Sequence, residues 1–101
     1  MKKKSDSFRD YVEEQLGPGM TFRAMFGGHG IYRGEVFFGI LFKGRLFFRT
    51  GPRSRAKYVE RGSKPFKPSA RQTLKSYYEV PADVLESAET LRSWAQEAAS
   101  R

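Results

Sequence analysis

The sequence predicts an α+β fold: an antiparallel sheet, as a four-strand meander plus a later strand, flanked by N-terminal, middle and C-terminal helices. Three observations carry that prediction. Apolar residues recur at helical spacing near both ends of the chain, as Phe8, Tyr11, Val12 and Leu16, and again as Leu91, Trp94, Ala95 and Ala98. Between them, short runs rich in Phe, Ile, Val and Tyr are punctuated by glycines. The 101 residues include nine Phe and one Trp. These are large pieces for one core in a chain that must bury about 65% of its unfolded surface.

Residues 5–16 read as the first helix. Ser5 or Ser7 can cap its free N–H groups, and Asp6 suits the positive end of its dipole. Gly17-Pro18-Gly19 stops it. Strands follow at 20–26, 29–33, 35–42 and 45–50. Arg33-Gly34 and Lys43-Gly44 read as two-residue hairpin turns. That register sets Tyr32 opposite Glu35 and Phe42 opposite Arg45. One face then carries Tyr32, Phe37, Leu41, Leu46 and Phe48. The other carries His29, Ile31, Val36, Phe38, Ile40, Phe42, Phe47, Arg45 and Arg49. Both faces are apolar, so either both are covered or one is an aromatic contact surface. Large exposed patches are rare, which favours covered faces.

Residues 52–61 read as a short helix with Pro52 in its first turn, Gly62 at its stop and a narrow apolar edge of Ala56 and Val59. Residues 63–73 hold two prolines and several cations without apolar periodicity, and read as an exposed loop. A strand over 74–80 puts Tyr77 and Tyr78 on opposite faces. A turn of helix over 81–86 leads to Ser87, which caps the last helix. The chain divides into a basic flexible tail, 1–4, and a single domain, 5–101.

Cysteine is absent, which excludes disulfides, thiol nucleophiles and Cys-ligated zinc. No apolar stretch follows the N-terminal lysines, as a signal peptide would need. The longest apolar run, 36–42, is too short to span a membrane. The expected address is the cytoplasm, with no membrane contact.

His29 is the only histidine, and it sits in Gly27-Gly28-His29-Gly30 with no acid beside it. A turn or strand-edge role is the expectation, because a catalytic imidazole needs a substrate-side partner and usually a carboxylate. The glycines at 27, 28, 30 and 34 match neither a dinucleotide fingerprint nor a P-loop. They read as positions where the chain turns, bulges or approaches closely. Asp10, Glu13, Glu14, Glu86, Glu89 and Glu97 read as solvated helix faces. The chain is expected to be no enzyme and to hold no catalytic residue, metal, cofactor or small-molecule ligand.

Charge is the strongest functional signal. The chain carries +8. Lys43, Arg45, Arg49, Arg53, Arg55, Lys57, Arg61, Lys64, Lys67, Arg71 and Lys75 stand against one acid, Glu60, over that segment. The local excess is greater than the charge of the whole chain, so the rest is net negative. Solubility does not need such asymmetry, and an anionic partner explains it. Phe47, Phe48, Tyr58 and Phe66 are interleaved, so bases can stack beside phosphate contacts. These eleven cations are the candidate nucleic-acid or polyanion-binding residues.

Separate segments along the chain resemble one family. The run 24–32, Ala-Met-Phe-Gly-Gly-His-Gly-Ile-Tyr, resembles the MFGG-x-G-[IL]-Y segment of the TfoX N-terminal domain. Residues 36–39 and 45–49 resemble its central hairpin. Residues 76–81 resemble its SYYEVP segment, and 91–95 its closing L-x-x-W-A helix. The resemblance implies an α+β fold with an antiparallel sheet and flanking helices, and no catalytic residue. The TfoX/Sxy regulators of natural competence act with the cyclic-AMP receptor protein at promoters and carry a second, helical domain. The sequence resembles their first domain standing alone. It departs from the family at the short Arg33-Gly34 turn, and at Lys43-Gly44 and Thr50-Gly51, where acidic residues are common.

The expected function is therefore non-enzymatic and regulatory, with nucleic acid contacted through a basic surface. The alternative is a protein-interaction module that docks on a transcription factor or forms a homodimer.

Overall fold

The first helix forms where apolar spacing places it, as α1 (Lys4–Leu16). A computed structural model describes residues 4–25 and 27–100. Of the expected tail, residues 1–3 lie outside the described residues, and Lys4 already belongs to α1. Ser5 and Ser7 therefore stand inside the helix rather than ahead of it. Val12 and Leu16 are buried, Phe8 packs beside them, and Tyr11 stays 40% exposed. Gly17 and Gly19 take positive φ, 81° and 96°, and end the helix as expected.

Among the described residues, six strands make one antiparallel sheet: β1 (Met20–Met25), β2 (Gly28–Arg33), β3 (Val36–Phe42), β4 (Arg45–Arg49), β5 (Pro65–Ser69) and β6 (Gln72–Glu79). Their order is β1-β2-β3-β4-β6-β5. The predicted meander is present, and the later strand lies beside β4. Residue 26 of the predicted first strand lies outside the described residues.

Register departs from the prediction in the β2–β3 hairpin. Phe42 pairs with Arg45, as expected. Tyr32 pairs with Phe37, not with Glu35, because the turn is Gly34-Glu35. Gly34 takes φ 62° at the first central position, as a type II′ turn requires. Farther along, Ile31 pairs with Gly39, so Phe38 is an extra residue, a bulge. One extra residue inverts the alternation. Phe38 and Ile31 thus join Leu41, Leu46 and Phe48 on the face under the helices. Phe37 and its stacked neighbour Tyr32 move to the other face, with Ile40, Phe42 and Phe47.

Helices cover the first face: α1, α2 (Arg55–Glu60), α3 (Ala82–Leu85) and α4 (Ala88–Ala99). Leu91, Trp94, Ala95 and Ala98 are all buried, and the Ser87 hydroxyl accepts from the Thr90 N–H, the predicted cap. α2 docks differently from the prediction. Its anchor is Tyr58, 1% exposed, whereas Ala56 is exposed and Val59 is 55% exposed. Tyr58 reaches the Trp94 ring at 4.8 Å, a partner that sequence spacing does not reveal.

The other face has a smaller cluster of Ile40, Phe47 and Phe66, with Phe37, Phe42, Leu74 and Tyr77 partly buried around it. Phe66 lies in the segment expected to be a loop. That expectation fails because β5 is the sheet's edge strand, where a missing proline N–H leaves no ladder bond unmade. Tyr77 and Tyr78 do divide between the two clusters. No helix among the described residues is long and apolar enough to cross a membrane.

Candidate nucleic-acid interface

Lys43 and Gly44 form the β3–β4 turn with φ of 51° and 74°. Positive φ at both central residues is the type I′ geometry that a tight hairpin needs. The turn lifts the Lys43 ammonium to 5.3 Å from the centroid of the Phe42 ring. From the opposite side, β5 brings Phe66 against Phe42 and Phe47, with centroids 5.3 and 4.7 Å apart. Burying Phe66 places its neighbours Lys64 and Lys67 at the surface beside the turn. The result is a pocket of about 280 Å³ lined by these phenylalanines and by Lys43, Arg45, Lys64 and Lys67. Its one acid, Glu79, accepts a hydrogen bond from the Arg45 guanidinium at 3.1 Å.

Four other candidates serve the fold instead. Arg49 donates to the carbonyls of Ala98 and Ser100, at 3.0 and 3.3 Å. α4 has no basic residue in its last turn, so Arg49 supplies the positive charge its C-terminus favours. The same device recurs at α1, whose last turn also lacks a cation: Arg92 donates to Gln15 and Glu14 carbonyls. Arg55 donates to the Thr50 hydroxyl at 3.2 Å, and that hydroxyl donates to the Ser76 carbonyl. Lys57 pairs with Glu97 and lies 4.4 Å over the Trp94 ring. Arg61 sits near the same ring, at 5.2 Å, and 3.7 Å from Asp83.

Arg53, Arg71 and Lys75 are exposed and lie off the pocket. The eleven cations thus separate into a group of four around phenylalanines, four bound into the fold and three dispersed. Sequence reading missed the sorting, and it missed Phe66 as the residue that assembles the group. The available signal was Lys64-Pro65-Phe66-Lys67-Pro68, one large apolar residue between cations.

Beyond the pocket the same face carries half-buried rings. Tyr32 stacks on Phe37 at 5.1 Å, and Phe37 meets Tyr77 at 5.5 Å. Burial raises the Tyr77 phenol above its ordinary pKa; Arg49 opposes the shift and Tyr32 adds to it. His29 lies half-buried in β2, paired with Ala24 and Leu41. Among the described residues, no three of His, Cys, Asp or Glu gather to hold a metal ion.

Of the segments that carried the family resemblance, residues 28–32, 36–39 and 45–49 lie in β2, β3 and β4, and 91–95 lies within α4. Gly28 faces the Leu41 carbonyl so closely that an added Cβ would stand 2.0 Å from its oxygen. Residues 76–81 join β6 to α3, and Trp94 is one of the core residues of α4. No curated protein matches the chain. The family model described as the TfoX N-terminal domain matches residues 10–101, nearly the whole length. With that match, and with the α+β sheet and flanking helices, the chain belongs to the TfoX N-terminal domain family.

Proposed function

We propose that this protein is a non-enzymatic, cytoplasmic regulator of the TfoX type that contacts nucleic acid through the groove between the β3–β4 turn and β5. One observation carries the reading: Lys43, Arg45, Lys64 and Lys67 converge on Phe42, Phe47 and Phe66. Lys57 and Arg61, which gather on the Trp94 ring, are paired with Glu97 and Asp83, whereas the lysines around Phe42, Phe47 and Phe66 are not so paired among the described residues. Lys43, Lys64 and Lys67 make no ion pair among the described residues, so their charge is available to phosphates. Such contacts release condensed counterions, and neighbouring rings offer bases a stacking surface.

The test is fluorescence anisotropy with labelled oligonucleotides, duplex and single-stranded, over a salt series. Four cations on phosphates give a log–log slope of about −3 to −4. Replacing Lys43, Lys64 and Lys67 together by Gln flattens the slope to about −1. Replacing Glu13 and Glu14 by Gln leaves it unchanged. Absence of binding to any oligonucleotide at low salt removes this reading.

Docking on a transcription factor or a second copy of the chain is the alternative. It is favoured by the outer edge of β1, which pairs with no strand among the described residues and contains no proline, unlike β5 with Pro65 and Pro68.

A further inference from the structure

We propose that the groove selects single-stranded nucleic acid over duplex, holding one base against Phe42 with phosphates on Lys64 and Lys67. The inference rests on the nucleic-acid reading and specifies its ligand.

The shape of the site supports it. The pocket is lined by exposed cations and by phenylalanines that are buried or half-buried, so the charges stand farther out than the rings. A duplex presents phosphates on a convex surface and keeps its bases stacked inside. It can touch the charges but cannot reach the rings. A single strand can turn a base inward while its backbone stays on the lysines.

Phe42 is the ring that can receive that base. Phe47 is 6% exposed and Phe66 is fully buried, whereas Phe42 is only partly buried. Phe66 meets it edge-on, at an interplanar angle of 74°, and so holds the ring in place. The Lys43 ammonium lies over the ring. A cation over an exposed aromatic ring is a weak contact, and base stacking is the stronger one. An incoming base therefore displaces Lys43, and the freed ammonium meets the adjoining phosphate. The same arrival satisfies the ring and the charge.

The elements of the basic segment do not suit a duplex groove. α2 has six residues and is docked through Tyr58, so it cannot enter a major groove. A free two-stranded ribbon can enter one, but Phe66 and Leu74 hold the β5–β6 hairpin against the sheet. The half-buried rings of Tyr32, Phe37 and Tyr77 continue the aromatic face and suit further unstacked bases.

The experiment uses the full chain and labelled DNA of about 12 nucleotides in mixed sequence, within the span of known single-strand sites. The same sequence is presented as single strand and as duplex at equal salt. The single strand is expected to bind at least about five-fold tighter, the lower end of what one stacked base contributes. Phe42→Leu keeps apolar volume and removes the ring. It is expected to abolish the preference by weakening single-strand binding at least about five-fold. Ultraviolet crosslinking of the wild-type protein to oligo(dT) is the second measurement, and it remains informative if the variant does not fold. The crosslink is expected in the peptide that contains Phe42. Equal affinity for both forms overturns the inference and leaves nucleic-acid binding standing. A preference that survives Phe42→Leu in a folded variant overturns it, as does a crosslink confined to other peptides. Displacement by polyglutamate as effective as by the oligonucleotide, charge for charge, also overturns it. No binding to either form removes both readings.

Discussion

The ring of Phe66 stands 4.7 Å from that of Phe47, centroid to centroid, where β5 closes over the sheet face opposite the helices. Phe66 has no exposed surface, so one side chain fastens an edge strand that carries two prolines. Phe66→Ala is expected to cost about 3–5 kcal/mol, the range for removing a large buried aromatic. It also opens the groove, so the charge-dependent binding of the lysines weakens. A urea midpoint equal to that of the wild type means that β5 does not depend on this contact.

Trp94 fastens the other side of the fold. It meets Tyr58 at 4.8 Å, with Lys57 and Arg61 over its ring. Trp94→Ala is expected to lose about 3–5 kcal/mol. Lys57→Glu is expected to lose about 1 kcal/mol, because the Glu97 pair is partly exposed and screened. It leaves oligonucleotide affinity nearly unchanged, whereas Lys64→Glu weakens binding and leaves the melting temperature alone. Reversed effects for these two variants would place the interface on α2 instead.

High pH gives a third test. Burial raises the Tyr58 phenol far above its ordinary value of 10, and the negative charge of Glu97 pushes the same way. Burial raises Tyr77 as well. In the unfolded chain both phenols ionise near pH 10; in the folded chain they stay protonated to higher pH. The native state then holds more protons, so stability is fully present below about pH 10 and declines above it. Tyr58→Phe flattens that decline. Denaturant midpoints followed from about pH 8 to about pH 11 measure it, and identical pH slopes for variant and wild type rule out the tyrosine as the cause.

Gly28→Ala is expected to destabilise by about 1–3 kcal/mol, the usual cost of forcing atoms into filled space. Its Cβ would meet backbone, the Leu41 carbonyl, which cannot swing aside as a side chain can. His29→Ala, one residue away, leaves affinity and salt slope within error. A loss of binding in a folded His29 variant contradicts the strand role assigned to that residue.

Much of the fold was legible because its causes are local. Gly17-Pro18-Gly19 stops a helix through its own φ angles, Lys43-Gly44 makes a hairpin turn for the same reason, and Ser87 caps α4 within three residues. Alternation put Tyr77 and Tyr78 on opposite faces without knowledge of what covers them. Charge, too, is a sum over residues, so the basic segment could be found by reading. Tertiary structure decided the rest. A bulge at Phe38 inverts which residues face the helices, because pairing across strands admits an extra residue that periodicity does not announce. Residues 65–69 become a strand only because β6 accepts them at the edge and Phe47 receives Phe66. The cations differ in role only through distant partners: Arg49 finds the carbonyls of α4, Lys57 finds Glu97 and Trp94, and Lys64, with no ion pair among the described residues, lines one pocket with Lys43. Local torsions and composition act within a few residues, whereas the destination of a long charged side chain depends on which remote backbone and rings the fold brings within its reach.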